Sequence, residues 1–331
     1  MFRILLGVIV FVVVTSGAAW FTLKRDDIPY EALETTYASY ASDYIDLPNG
    51  VRMHFRDEGP RDSDKILVLV HGYASSLHTW EPWVHRLENE YRIISLDLPV
   101  HGLTRAPDDF EPTIEAFAEN VKHLADALDI DEFVLGGSSM GGNIAWSYAL
   151  AHPQDLVGLT LVAAAGWPET DAEMEDDPLL LQLAGNPLIG PILTQIDTTD
   201  QIRSGLQASY VDQDFVTDGL VRRYSELSRA PGHRQGLFDI MMIERTPATA
   251  EALSAISIPT LILHGDQDNL VPVRGARLFE KAIARSTLVV YEDVGHMPQE
   301  EVADQSAEDF LAFLQQVYPS TEDAETRTEA D

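Results

Sequence analysis

Phe133-Val-Leu-Gly-Gly-Ser-Ser-Met-Gly-Gly-Asn-Ile-Ala-Trp-Ser-Tyr-Ala-Leu-Ala151 decides the fold. Phe133 to Leu135 is an apolar, β-prone run and Asn143 to Ala151 reads as a helix, so Ser139 falls on a sharp strand-to-helix turn. Such a turn brings the two backbones together, and a side chain at Gly137 or Gly141 would clash there. Ser138 is a rival nucleophile, but Gly136 and Met140 stand at its flanking positions, whereas Ser139 has glycine on both sides. The Gly-x-Ser-x-Gly pattern arises by chance often enough to carry little alone. The segments around it give it weight.

Working outward, Val51 to Phe55 reads as an early strand, and Ile66 to Val70, Arg92 to Leu96, Leu159 to Val162, Thr260 to Leu263 and Thr287 to Tyr291 read as buried strands. Ile114, Phe117, Val121, Leu124 and Leu128 recur at spacings of three and four, the stripe of a helix lying on a sheet. This alternation predicts an α/β fold with a mainly parallel central sheet covered by helices on both faces, and sites beyond the carboxyl ends of the strands. The alternation breaks between about Trp167 and Thr246, where an acidic patch, apolar pieces and helix-like runs at Val216–Leu227 and Gln235–Ile243 predict an inserted helical cap. A helical subdomain with only a packing role is the plainer alternative.

At 331 residues and 45% hydrophobic content the chain is long enough for one large domain carrying such an insertion. Lys and Arg total 22 against 54 Asp and Glu, a formal charge of -32 that repels phosphate backbones and argues against a nucleic-acid partner. A solvated surface accounts for the acidity more simply than an acidic docking face. There is no cysteine, which excludes disulfides, thiolate metal sites and a cysteine nucleophile, and the ten histidines form no short ligand cluster. No metal and no cofactor are expected.

Residues 4–23 are nearly uncharged, and twenty helical residues span roughly 30 Å, one hydrocarbon core. Thr15-Ser-Gly-Ala-Ala19 could instead mark a signal-peptidase site. An uncleaved anchor and a cleaved signal are both open, with a buried soluble helix the third reading; the first two place the body on a membrane or export it, and an uncleaved segment makes the membrane a partner. The organisation is therefore residues 1–24 as anchor or signal, 25–42 as linker, 43–166 as the first part of the core, 167–246 as cap, 247–317 as the second part of the core, and 318–331 as a disordered acidic tail.

A serine hydroxyl needs a neutral imidazole to take its proton and a carboxylate to hold that imidazole in the right tautomer. Leu261-Ile-Leu-His-Gly-Asp-Gln-Asp-Asn-Leu-Val-Pro272 is a strand ending in a loop, and both Asp266 and Asp268 reach its carboxyl end. His296 follows Gly295 in the loop after the last strand, with a helix beginning near Val302, and is the candidate base. Charge on an attacked carbonyl oxygen calls for two backbone N–H donors. Met140, at a helix N-terminus, is one candidate, and Tyr73 in the turn His71-Gly72-Tyr73-Ala74 is the other, with His71 bracing that turn.

Together His71-Gly72, Gly137-Ser138-Ser139-Met140-Gly141-Gly142, Gly265-Asp266-Gln267-Asp268 and Gly295-His296 resemble the signature set of the α/β-hydrolase superfamily, over about Tyr44 to Leu314. The resemblance places the acid in a G-x-x-D-x-x-x-P frame, which here is Gly265, Asp268 and Pro272, and leaves Asp266 to cap the loop or to support the site from behind. Some relatives carry the acid one strand earlier, but here that strand ends in Ala163-Ala-Ala-Gly-Trp167, without a carboxylate. Ser139, Asp268 and His296 then follow the chain order of that superfamily. Asp97-Leu98-Pro99-Val100-His101-Gly102 resembles its D-x-P-G-x-G loop, from which Val100 and His101 depart.

Serine rather than aspartate at the elbow argues against the epoxide hydrolase and haloalkane dehalogenase branches. The resemblance implies a serine hydrolase, esterase- or lipase-like, that cleaves carboxylic esters through an acyl-enzyme. Carbon-carbon bond hydrolases of aromatic degradation and cofactor-free perhydrolases use the same triad and share the Ser-Met-Gly-Gly elbow, and a catalytically silent binder of the same fold is a further alternative. Trp167, Met241 and Met242 are the expected lining of an apolar acyl pocket.

Overall fold

The computed structural model describes residues 20, 22–168, 190–243 and 246–319, apart from the side chains of residues 191 and 193. Strands β1 (Ser42–Asp46), β2 (Arg52–Glu58), β3 (Ile66–Val70), β4 (Arg92–Leu96), β5 (Phe133–Ser138), β6 (Leu156–Val162), β7 (Thr260–Gly265) and β8 (Ser286–Tyr291) form one 8-stranded sheet in the order β1-β2-β4-β3-β5-β6-β7-β8. β1 and β2 pair antiparallel, β2 pairs antiparallel with β4, and every pairing from β4 through β8 is parallel. Alternate residues of each central strand enter opposite cores. Val68, Val70, Ile94, Leu135 and Ile262 lie in one, and Leu67, Leu69, Ile93, Val134 and Leu263 in the other. A sheet buried on both faces needs such near-continuous apolar strands.

Helices α1 (Tyr30–Tyr37), α2 (Glu81–Leu87), α3 (Ile114–Ala127) and α4 (Met140–Ala151) precede β6. α3 starts where Thr113 accepts a hydrogen bond from Ala116 N, and its predicted stripe of Ile114, Phe117, Val121 and Leu124 is buried. Each of these side chains contributes about 1.5–3 kcal/mol of burial. Between β6 and residue 243 the described residues form α5 (Gly190–Leu193), α6 (Thr199–Ser209), α7 (Asp218–Leu227) and α8 (His233–Met241). These sit over the carboxyl end of the sheet: Tyr73 Oη donates to Leu237 O, and His296 N to Ser209 O. α9 (Ala250–Leu253), α10 (Arg274–Ala282), α11 (Pro298–Glu301) and α12 (Ala303–Val317) complete the helices of the described residues.

Several expectations need correction. The linker assigned to residues 25–42 contains α1, whose Leu33 is buried with Leu103 of the core and Leu227 and Ala230 of the insertion. β1 begins at Ser42, at the edge of the sheet. β5 continues past Leu135 through Gly136 and Gly137, whose missing side chains make a buried strand look like a loop. Tyr318, assigned to the tail, is held by the core, its hydroxyl donating to Ile66 O at 2.8 Å. The apolar run at residues 4–23 lies outside the described residues except for Trp20, Thr22 and Leu23, and the tail beyond residue 319 lies outside them entirely. Among the described residues no helix is long and apolar enough to cross a membrane.

The insertion and the core meet at an unusual pair. Val100, where the resembled loop carries glycine, adopts φ +60°, a region that costs a β-branched residue on the order of 1–2 kcal/mol. Gly236 of α8 faces it, and a Cβ there would lie 2.6 Å from Val100 Cγ1. A side chain added on the core loop is thus matched by one absent from the helix above.

Candidate functional site

Ser139 stands between the last residue of β5 and the first of α4, at φ +56° and ψ −117°. Its N–H donates to Val162 O at 2.9 Å and its carbonyl accepts from Ala165 N at 3.0 Å, so β6 and the loop after it hold the strained turn in place. The flanking glycines are required by contact: a Cβ on Gly137 would lie 2.1 Å from Gly141 O, and one on Gly141 2.3 Å from Val70 O. Ser138 also borders the cleft, but its hydroxyl is engaged. It is buried, and its hydroxyl accepts from Gln299 Nε2 at 3.4 Å.

The loops after β7 and β8 bring Asp268 and His296 together. His296 Nδ1 donates to Asp268 Oδ2 at 2.7 Å, which leaves Nε2 as the basic nitrogen. Asp268 Oδ1 accepts from Leu270 N at 2.8 Å and Val271 N at 2.9 Å. Burial alone would push the Asp268 carboxyl up, but the charge of His296 and the hydrogen bonds from His264 and His296 outweigh it and hold the group below the usual carboxylate range. Asp266 is exposed and accepts from Asp293 N at 2.8 Å, a loop cap. The His296 loop is fastened to the insertion and to α11: besides its bond to Ser209, Gly295 N donates to Glu301 Oε2 at 2.7 Å.

Ser139, His296, Tyr73, Met140 and Trp167 border one cleft of about 530 Å³, closed on the insertion side by Leu206 and Tyr210. The N–H of Met140, first residue of α4, has no carbonyl to meet within its own helix. His71 braces the neighbouring turn as expected, with Nδ1 donating to Gly72 O at 2.7 Å and Nε2 accepting from Leu98 N at 3.0 Å. Met241 and Met242 do not belong to the cleft. α8 turns His233, Gly236 and Ile240 inward, and the two methionines are 44% and 58% exposed. His101 is buried beneath the site, Nδ1 donating to Pro99 O at 3.0 Å.

Three features went unread in the sequence. His264, on β7, places Nε2 3.2 Å from Asp268 Oδ2; its signal was a polar residue in an otherwise apolar run. Behind the cleft, Glu300 accepts from Tyr210 Oη at 3.0 Å and from Thr79 Oγ1 at 2.5 Å. A second serine–histidine–aspartate chain also exists: Ser42 Oγ to His54 Nε2 at 2.8 Å, and His54 Nδ1 to Asp97 Oδ2 at 2.7 Å. Ser42 lies within β1 and away from the cleft, and Asp97 also accepts from Leu77 N and Leu103 N, so this chain pins β1 and β2 to the loop after β4. Among the described residues no group of three or more His, Cys, Asp or Glu could hold a metal ion.

The sequence matches the alpha/beta hydrolase fold family over residues 65–303, and the chain belongs to that family. Lipase 1 of Psychrobacter immobilis is 24% identical over 81% of this chain and 82% of its own length. The 2-hydroxymuconate semialdehyde hydrolase of Pseudomonas sp. (strain CF600) is 27% identical over 80% of this chain and 91% of its own. Among solved structures, a membrane phospholipase A described as a bacterial virulence factor superposes with a TM-score of 0.72 at 25% identity, covering 97% of this chain and 100% of that one. The protein is a hydrolase of this fold, similar to lipases and esterases.

Proposed function

We propose that the chain is a serine hydrolase that cleaves carboxylic esters of apolar acyl groups. The observation that carries the reading is the strained Ser139, opening onto the same cleft as a His296 whose Nδ1 is bonded to a buried carboxylate. His296 Nε2 takes the proton of Ser139 Oγ as that oxygen attacks the ester carbonyl, and the Tyr73 and Met140 N–H groups receive the oxyanion. The same proton then goes to the departing alkoxide. Water, deprotonated by His296, releases the acid and restores the serine. The apolar side chains of Trp167, Leu206, Leu270, Val271 and Met297 on the cleft wall suit an acyl chain.

A carbon-carbon hydrolase is the second reading, supported by the 2-hydroxymuconate semialdehyde hydrolase relative at comparable identity. A panel of p-nitrophenyl acyl esters beside vinylogous diketo acids separates the two. The ester reading expects kcat/KM on the esters to exceed that on the diketo acids by at least tenfold, and turnover confined to the diketo acids rejects it. The run at residues 4–23 is proposed to hold the protein on a membrane or direct its export, a reading supported by the near-complete overlap with the membrane phospholipase. Full-length protein recovered in the soluble cytoplasmic fraction would refute it.

A further inference from the structure

The carboxylate bonded to His296 has a second imidazole on the same oxygen. His264 lies on β7, and its side chain, like that of Asp268, is fully buried. Its Nε2 is 2.8 Å from Val271 O and 3.2 Å from Asp268 Oδ2. A carbonyl oxygen only accepts, so Nε2 carries the hydrogen, which lies between Val271 O and the more distant Asp268 Oδ2. Nδ1 is then the bare nitrogen, and it is buried without a partner among the described residues. An apolar residue would avoid that unsatisfied nitrogen, so packing does not explain a histidine here.

We propose that His264 is a positioning residue for Asp268, donating its Nε2–H to the oxygen that also receives His296 Nδ1–H and thereby fixing both the direction and the basicity of the acid. The proposal rests on the reading of Asp268 as the partner of His296 in a serine hydrolase. Leu270 N and Val271 N donate to Oδ1 and His296 Nδ1 donates to Oδ2, beside which His264 Nε2 stands at 3.2 Å. A carboxylate that loses a donor becomes more basic and holds an imidazolium more tightly. His296 would then take up its proton at a higher pH.

The other ionisable groups near His296 are Glu301, engaged with Gly295 N, Glu300, engaged with Tyr210 and Thr79, and Tyr73, Tyr210, Tyr224 and Arg274 on the cleft wall. Asp266 accepts from the backbone N–H of Asp293 and, like Asp293, does not line the cleft. None of these is altered by a substitution at residue 264.

The test is the pH profile of kcat/KM for ester hydrolysis by the full-length wild type and by His264→Leu, His264→Gln and His264→Asn. His264→Leu is expected to lower kcat/KM about tenfold and to move the acid limb up by roughly half a pH unit. Gln, whose amide nitrogen sits near the place of Nε2, restores both, and Asn, which is too short, does not. Unchanged rate and limb in His264→Leu overturn the proposal, as does a loss of rate with the limb unmoved in all three variants, the signature of packing alone. If His264→Leu does not fold, the Gln and Asn pair decides: a wild-type profile for Gln and a shifted one for Asn supports the role, and identical profiles overturn it. Failure of the underlying reading shows separately, as wild-type hydrolysis that survives Ser139→Ala, and the proposal falls with it.

Discussion

On the proposed mechanism, Ser139→Ala is expected to lower kcat for hydrolysis of a p-nitrophenyl acyl ester by roughly 10⁵-fold and to leave KM within a few-fold of the wild-type value. The alanine removes the attacking oxygen but none of the cleft wall, so substrate binding persists while the covalent route is lost. His296→Ala has nearly the same effect, because without a base at Nε2 the hydroxyl remains a poor nucleophile. The two losses do not multiply. Residues that act on one proton and one bond form a unit, and the double variant falls no more than about tenfold below either single one. Steady-state kinetics on the three variants checks this. Ser139→Ala retaining a tenth of wild-type activity, or losses that multiply in the double variant, would assign the chemistry elsewhere.

The second large effect is on stability in acid. His71, His78 and His101 are buried, and burial lowers all three below the ordinary histidine value, His78 to about 4. Local geometry agrees. His71 Nε2 accepts from Leu98 N, His78 Nε2 accepts from Arg56 Nη2 at 3.1 Å, and His101 Nε2 is buried without a partner among the described residues, so a proton on any of these nitrogens has no acceptor. In the unfolded chain each histidine titrates near roughly 6.5. Between that value and its folded one, the unfolded state binds the extra proton, and stability must fall as pH falls. For His78 alone, the drop from 6.5 to about 4 is worth on the order of 3 kcal/mol.

Asp97 and Asp268, both held below the carboxylate range, extend the loss to lower pH, whereas Glu58 and Glu300, which burial pushes up, take up their protons in the folded state above the ordinary glutamate value and offset part of the loss there. The histidine window is about pH 6.5 to 4.5, above the titration of most surface carboxylates, and the net fall across it is the histidine loss less the opposing contribution of Glu58 and Glu300. The urea midpoint should fall steadily across it, and His78→Gln should remove about one proton from the slope. A midpoint constant between pH 7 and 5 would contradict the neutral assignment of these rings.

The parallel sheet was legible because apolar β-branched runs buried on both faces have no competing explanation at their length. Strand and helix ends were harder. β1, Ser-Asp-Tyr-Ile-Asp, is an edge strand with two carboxylates and no clear alternation, and α1 buries only Leu33 along its length. α6 escaped notice for the same reason, burying only Leu206 and Ser209 in an otherwise polar segment. Periodicity reports a helix only where a wide stripe is buried, and these helices pack through one or two residues.

At the site, the tight glycines at the Ser139 turn and the meeting of Asp268 with His296 were readable because steric need and loop position leave marks in sequence. Met241 and Met242 show the opposite case. Their composition suggested a pocket, but which face of α8 turns inward depends on Gly236 meeting Val100, a contact that spans the core and the insertion. His264 was hidden for a related reason: its value lies in a distance to Asp268 that only the loop after β7 creates.

The most direct measurement is reaction of the full-length protein with a fluorophosphonate, followed by peptide mapping of the adduct. A serine activated by His296 predicts one adduct, on Ser139, absent in Ser139→Ala and slowed by orders of magnitude in His296→Ala. No adduct on the wild type, or one on Ser138 or on Ser42 of the buried Ser42–His54–Asp97 chain, would contradict it.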